Sequence, residues 1–151
     1  MRTDEEYVRE AIELAREAVS DGNTPFGSLL VVDEAVVKRS TNTTVTDDDV
    51  TAHPELKLAR WAARELDSDD LTDCTMYTST EPCEMCAAAI HYAGLDRVVY
   101  SVSGESLARV RGETESGFAC GDVIGGKGGT TDVDGPVLEA DGIRVHEAFY
   151  G

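Results

Sequence analysis

Two short segments constrain this chain most: His53-Pro54-Glu55 and Pro82-Cys83-Glu84-Met85-Cys86, with Cys83 30 residues after His53. Imidazole and paired thiols are metal-ligand types, and they form a site only if the fold brings both segments to one point. The local pattern puts each at a helix entrance. Pro54 belongs in a first turn, where its missing N–H costs nothing, and Leu56, Ala59, Ala62, Ala63 and Leu66 continue as the apolar face of that helix. Cys83 to Ala93 reads as an alanine-rich helix stopped by Gly94, and Thr75 to Ser79 between the two helices reads as a strand.

The rest of the chain extends this alternation. Val8, Ala11, Ile12, Ala15, Ala18 and Val19 fall at helical spacing, and Thr3 with Glu6 makes a capping box, so a helix is expected over about 4–20, ended by Asp21-Gly22-Asn23. Ser28 to Val32 and Ala35 to Lys38, separated by Asp33-Glu34, form a hairpin. Arg97 to Val102 is a strand, Glu105 to Val110 a short helix, and Ile143 to Tyr150 a strand or short helix. Alternating strands and helices favour a layered α/β domain, and 151 residues suit one domain, 1–151. Residues 112–135, rich in Gly, Thr and Asp, carry no clear period and read as a functional or mobile loop. Within them Gly121 to Gly128 nearly spells a phosphate-binding loop. The match fails where a Ser or Thr should follow Lys127, so a flexible or substrate-capping loop is the better expectation.

Thirty Asp plus Glu against 13 Lys plus Arg give a formal net charge of -17, which disfavours nucleic acid as a partner. Ten of the basic residues are Arg and three are Lys, and the acids are spread along the chain, a pattern expected of a halophilic protein. No run approaches the roughly 20 apolar residues of a membrane span, and the first residues lack the apolar core of a secretory signal, so the expected location is cytoplasmic. Of the four cysteines, Cys74 reads as a small buried apolar residue, while the place of Cys120 stays open. Asp47-Asp48-Asp49 reads as a solvated face and Trp61 as packing; Phe149 and Tyr150 either cover a pocket or pack the C-terminus.

His-x-Glu followed by Pro-Cys-x-x-Cys is the pattern of zinc deaminases. The spacing has a physical basis. Two cysteines three apart at a helix start aim their sulfurs at one point, and the unpaired N–H groups there favour thiolate. With His53, Cys83 and Cys86 as ligands of one Zn2+, the fourth tetrahedral position stays open, the mark of a catalytic rather than a structural site. Glu55 is the expected proton shuttle, taking a proton from water and delivering it to a ring nitrogen and then to the departing amine. A closed structural site would need a fourth ligand, for which only Cys74 or Cys120 could serve.

Thr24-Pro25-Phe26-Gly27, Thr51-Ala52-His53-Pro54-Glu55 and Thr80-Glu81-Pro82-Cys83-Glu84-Met85-Cys86-Ala87 together resemble the cytidine deaminase-like superfamily, over about residues 5–102. The branch is that of guanine deaminases, tRNA adenosine deaminases and fungal-type cytosine deaminases, and the composition suggests a haloarchaeal-type nucleoside deaminase. The resemblance implies a three-layer α/β/α sandwich with a central, mostly five-stranded mixed sheet, and a homodimer. It also implies that Asn42 hydrogen-bonds the base or sugar, that Phe26 borders the pocket, and that the backbone carbonyl of Glu81 holds the departing amino group. In such enzymes the residue between His and Glu can donate its N–H to the substrate. Pro54, as a pocket wall, has none, which costs a substrate relying on that donor about 1–3 kcal/mol.

The expected function is zinc-dependent hydrolytic deamination of a small aminated heterocycle, a purine-like base of the guanine type or its nucleoside, releasing ammonia. The alternatives are an adenosine deaminase acting on tRNA, a cytosine-type deaminase, and a non-catalytic zinc-stabilised interaction module.

Overall fold

The computed structural model describes residues 2–151. In chain order the elements are α1 (Asp4–Ser20), β1 (Gly27–Val32), β2 (Ala35–Thr41), α2 (Pro54–Glu65), α3 (Ser68–Leu71) and β3 (Thr75–Thr80), followed by α4 (Glu84–Ala93), β4 (Arg97–Val102), α5 (Gly104–Arg111), α6 (Cys120–Gly126), β5 (Asp132–Asp134) and α7 (Glu139–Tyr150). The strands form one sheet in the order β2-β1-β3-β4-β5. β1 runs antiparallel to β2 and β3, whereas β3, β4 and β5 are mutually parallel, so the sheet is mixed as the resemblance implied.

Strand alternation sorts the core into two halves. Leu30 and Val32 of β1, Met76 of β3 and Val98 of β4 face Leu58, Ala62, Ala87, Ile90 and Ile124 of α2, α4 and α6. Leu29 and Val31, Tyr77 and Val99 face Val8, Ala11, Ile12 and Ala15 of α1, with Val145 of α7. The layers are therefore helix, sheet, helix. Cys74 is fully buried in the first half, as expected, and Trp61 is half-buried against it.

Local chemistry accounts for most boundaries. Glu6 N donates to Thr3 Oγ1 at 3.2 Å, opening α1. Asp33 (φ 49°) and Glu34 (φ 64°) both adopt the left-handed conformation of a two-residue hairpin turn. Tyr7 OH, donating to Glu34 O at 2.9 Å, holds that turn. Arg97 makes a bidentate pair with Asp4 (3.1 and 2.8 Å) and donates Nε to Asp134 at 2.8 Å, tying the start of α1 to β4 and the edge strand β5.

The expectation of a loop over 112–135 is corrected in its second half. Residues 120–126 are a helix and 132–134 an edge strand parallel to β4. Three glycines give α6 poor helix propensity; burial of Cys120 and Ile124 against α4 holds it instead. The C-terminal segment resolves to helix, beginning at Glu139.

α1 crosses β1 so closely that a Cβ on Gly27 would lie 2.5 Å from Ala15 N and from Leu14 Cβ. Gly27→Ala is expected to lower stability by about 3 kcal/mol in a denaturant melt, because helix backbone cannot yield as a side-chain tip can; a loss under about 0.5 kcal/mol would show that α1 slides freely.

On α7, His146 is buried with Nε2 2.7 Å from Thr80 Oγ1. Its Nδ1 has no hydrogen-bond partner among the described residues, so a proton there would add an N–H with nothing to accept it. Burial, reinforced by the Arg111 guanidinium, pushes the imidazole down to about 4 from an ordinary 6.5. The fold thus favours the neutral ring, a contribution complete above pH 6.5 and lost as pH falls towards 4. The unfolding free-energy difference between the wild type and His146→Gln should shrink by about 2 kcal/mol between pH 7 and pH 4.5; a constant difference would show that burial does not keep the ring neutral.

Candidate active site

Three helices are capped by the side chain that precedes them: Thr3 accepts from Glu6 N, Asp67 from Asp70 N and Ser103 from Ser106 N. The N-cap residues of α2 and α4 are His53 and Cys83, and neither side chain caps its helix. Both turn towards one point. His53 Nδ1 lies 3.6 Å from the Sγ of Cys83 and 3.6 Å from the Sγ of Cys86.

Those separations test the fit of a metal. Tetrahedral zinc, with a nitrogen at about 2.05 Å and a sulfur at about 2.3 Å, sets the two ligand atoms about 3.6 Å apart. The three ligand atoms lie within 4.8 Å of one another, and they form the only such His/Cys/Asp/Glu group among the described residues. Asp47, Asp48 and Asp49 are exposed and join no such group; Asp49 caps the turn to Thr51.

The thiols are strongly unequal. A hydrogen bond from Cys86 pushes Cys83 down to about 4, helped by His53, while the same contact raises Cys86 far above the ordinary thiol range. His53 is raised, chiefly by its contact with Cys83. Protein groups alone thus stabilise a single thiolate here, and a divalent cation is what makes two thiolates side by side favourable. The donor set fits one zinc per chain.

Glu55, in the first turn of α2, is buried, and burial pushes its carboxyl up to about 7. Ser28 Oγ stands 3.5 Å from Glu55 Oε1 and 2.7 Å from Thr78 Oγ1, placing hydroxyls of β1 and β3 behind the carboxyl. Asn42 is buried at the end of β2. Its Oδ1 accepts from Thr44 N (3.0 Å) and Thr44 Oγ1 (2.9 Å); a backbone N–H can only donate, so this fixes the amide orientation and leaves Nδ2 uncommitted among the described residues. Asn42 is therefore both a turn residue and a cavity residue.

A cavity of about 370 Å³ brings these groups together, bounded by Phe26, Asn42, His53, Glu55, Thr80, Glu81 and Cys83, with Leu107 and Arg111 of α5 on the far side. Pro54 is not among its lining residues; its ring is buried in the first turn of α2. Beside it lies a wider groove of about 670 Å³ that shares Glu81, Cys83, Leu107 and Arg111 but contains neither His53 nor Glu55. Only the smaller space is lined by both His53 and Cys83 together with the buried carboxyl; Cys86 lies fully buried behind them.

Several contributing groups left little trace in the sequence. The carboxylate of Glu81 accepts from Gly104 N at 2.9 Å and from Cys120 N at 2.8 Å, the first residues of α5 and α6, and so fastens two helix starts beside its own backbone. Cys120 is buried in the core, and burial pushes its thiol up to about 12, the state of an inert packing residue rather than a ligand. Ser28 could have been suspected as the one hydroxyl in an apolar strand run. Arg111 and His146 had no local signal.

The family model described as the cytidine and deoxycytidylate deaminase zinc-binding region matches residues 1–102, which include His53, Cys83, Cys86 and Glu55. The chain is 34% identical to the probable cytosine deaminase of Schizosaccharomyces pombe, over 95% of this chain and 90% of that one. It is 37% identical to the guanine deaminase of Bacillus subtilis, over 76% of this chain and 70% of that one. Among solved structures, the guanine deaminase of Nitrosomonas europaea covers 99% of this chain and 86% of its own with a TM-score of 0.81; at 21% identity this is a likeness of fold. The chain belongs to the cytidine and deoxycytidylate deaminase family, as a zinc-dependent deaminase.

Proposed function

We propose that the chain hydrolytically deaminates a small aminated heterocycle, a purine-like base of the guanine type or its nucleoside, with residues 1–151 acting as a single deaminase domain. The observation that carries this reading is the meeting of the His53, Cys83 and Cys86 cluster with the buried Glu55 carboxyl on one cavity of about 370 Å³. That volume suits a base or a nucleoside. When bound, zinc supplies the Lewis-acid charge that makes water nucleophilic near neutral pH.

The side chains divide the remaining work. Glu55 takes one proton from water and gives it to the ring nitrogen, then takes the second from the hydroxyl added to the ring carbon and gives it to the amine, which leaves as ammonia. Asn42 Nδ2 donates to the ring, the Glu81 carbonyl accepts from the amino group, and Phe26 packs on the ring's face. Likeness to a probable cytosine deaminase over nearly the whole chain supports a small base. Against a tRNA substrate stand Glu84, Glu105, Glu113, Glu115 and Asp122 in the adjoining groove, which repel phosphate. None of the described helices is long and apolar enough to cross a membrane. A homodimer working in a salt-rich cytoplasm is the setting that fits the acidic composition.

Ammonia release from free bases, nucleosides, triazines and pterins, at low and molar KCl, tests the reaction. We expect turnover of a base or nucleoside, and Glu55→Gln should keep zinc while losing about 10³-fold in kcat; near wild-type activity in that variant, or turnover confined to a tRNA anticodon loop, would refute the proposal.

Pro54 removes a donor that relatives can offer at the equivalent position. Pro54→Ala is expected to shift the ratio of kcat/KM between substrates by about tenfold with zinc content unchanged. An unaltered ratio would make the missing N–H irrelevant.

A further inference from the structure

Ring recognition in this cavity needs donors, and few are free. Pro54 has no N–H. Thr44 Oγ1 gives its hydrogen to Asn42 Oδ1, whereas Thr80 Oγ1 accepts from His146 Nε2 and keeps its own hydrogen. Apart from the ligand cluster, the side-chain donors that remain in the lining are Asn42 Nδ2, the hydroxyls of Thr24 and Thr80, and Arg111, the only Lys or Arg among the lining residues.

Arg111 is held in a defined place. Its guanidinium lies 4.8 Å from the Tyr150 ring centroid and 5.8 Å from that of Phe26, and Nη2 donates to Tyr150 OH at 2.6 Å. Glu113 Oε1, 3.7 Å from Nη1, is beyond hydrogen-bond reach. One of five N–H donors is committed, so a planar fork of donors remains at the cavity wall next to Phe26. The side chain is 34% exposed, enough to meet a ligand while the Tyr150 hydroxyl and the two aromatic rings hold it in place.

We infer that Arg111 is a specificity-determining residue that reads an exocyclic carbonyl oxygen on the substrate ring, so that the preferred substrates are oxo-substituted aminated heterocycles. A full anion is the poorer match, because Glu81, Glu84, Glu105, Glu113 and Glu115 crowd the groove that shares Arg111. A neutral carbonyl oxygen accepts from the fork without bringing negative charge among those carboxylates. The inference rests on the proposed deamination only for which cavity holds the ring.

Equilibrium binding separates the two ideas. Zinc-loaded Glu55→Gln protein is titrated with two pairs that differ by one oxygen, guanine with 2-aminopurine and cytosine with 4-aminopyrimidine. In at least one pair the oxo base should bind at least about tenfold more tightly. Adding Arg111→Met should bring that pair within about twofold and Arg111→Lys should fall between, while Tyr150→Phe, which keeps the aromatic face, should preserve the preference. The inference is overturned if neither pair binds, if the parent shows no preference, if the preference survives Arg111→Met, or if Tyr150→Phe abolishes it equally, since Arg111 would then act only through α7. Ammonia release with Glu55 present judges the deaminase reading independently.

Discussion

The structure depends on helix N-termini meeting at one end of the sheet. α2 and α4 begin beside each other because β3 leads into α4 and α2 packs across it, and neither of their N-cap side chains caps its helix. A helix start concentrates unpaired N–H groups and a partial positive charge, which is where a thiolate is most easily held. α5 and α6 begin nearby, and their first N–H groups are collected by the single carboxylate of Glu81. This is also the carboxyl end of the parallel strands β3 and β4, where open α/β sheets place their ligands. Four helix starts thus share one locality: two face the ligand cluster and two are neutralised by a residue whose own backbone borders the cavity.

Behind the cavity the sheet is polar where a core would ordinarily be apolar. Ser28, Thr78 and Thr80 are buried on β1 and β3, and each is paired: Ser28 with Thr78, Thr80 with His146, and Thr78 with the carbonyl of Thr80 at 3.2 Å. Unpaired, such groups would each cost about 1–3 kcal/mol, so the network must form as a unit. It ends at Glu55 on one side and on α7 on the other. The C-terminal helix is therefore part of the wall that supports the site: His146 lies between Phe26 (5.3 Å) and Tyr150 (6.0 Å), and Tyr150 in turn holds Arg111.

Legibility followed the range of the interactions. The capping box at Thr3, the turn at Asp33-Glu34, the stop at Gly94 and the strand Arg97–Val102 are encoded by neighbours in sequence, and their expected positions match the structure. The ligand triad was legible for a different reason, since Cys-x-x-Cys and His-x-Glu each bring their groups to a helix start on their own. α6 and β5 were not legible: three glycines and a three-residue strand carry no period, and both exist because α4 and β4 provide surfaces to bury them. The second function of Glu81, the turn of Ser28 towards Glu55 and the approach of Arg111 to Phe26 are contacts between residues 23 to 85 apart, and Arg111 and Phe26 leave no spacing signature at that separation.

Net charge and local charge differ greatly in size, and the difference decides what the acidic composition can mean for the site. At -17 the surface repels anions at long range, but that field is screened within about 8 Å at ordinary ionic strength and within about 3 Å at molar salt. Contacts inside a half-closed cavity are screened much less. There one guanidinium stands against Glu81 in the lining and Glu113 3.7 Å from it, a local excess of a single negative charge with directional donors left over. A polyanion meets the outer field first, over a large area. A small neutral base does not, and it is selected by the donors and acceptors it finds once inside.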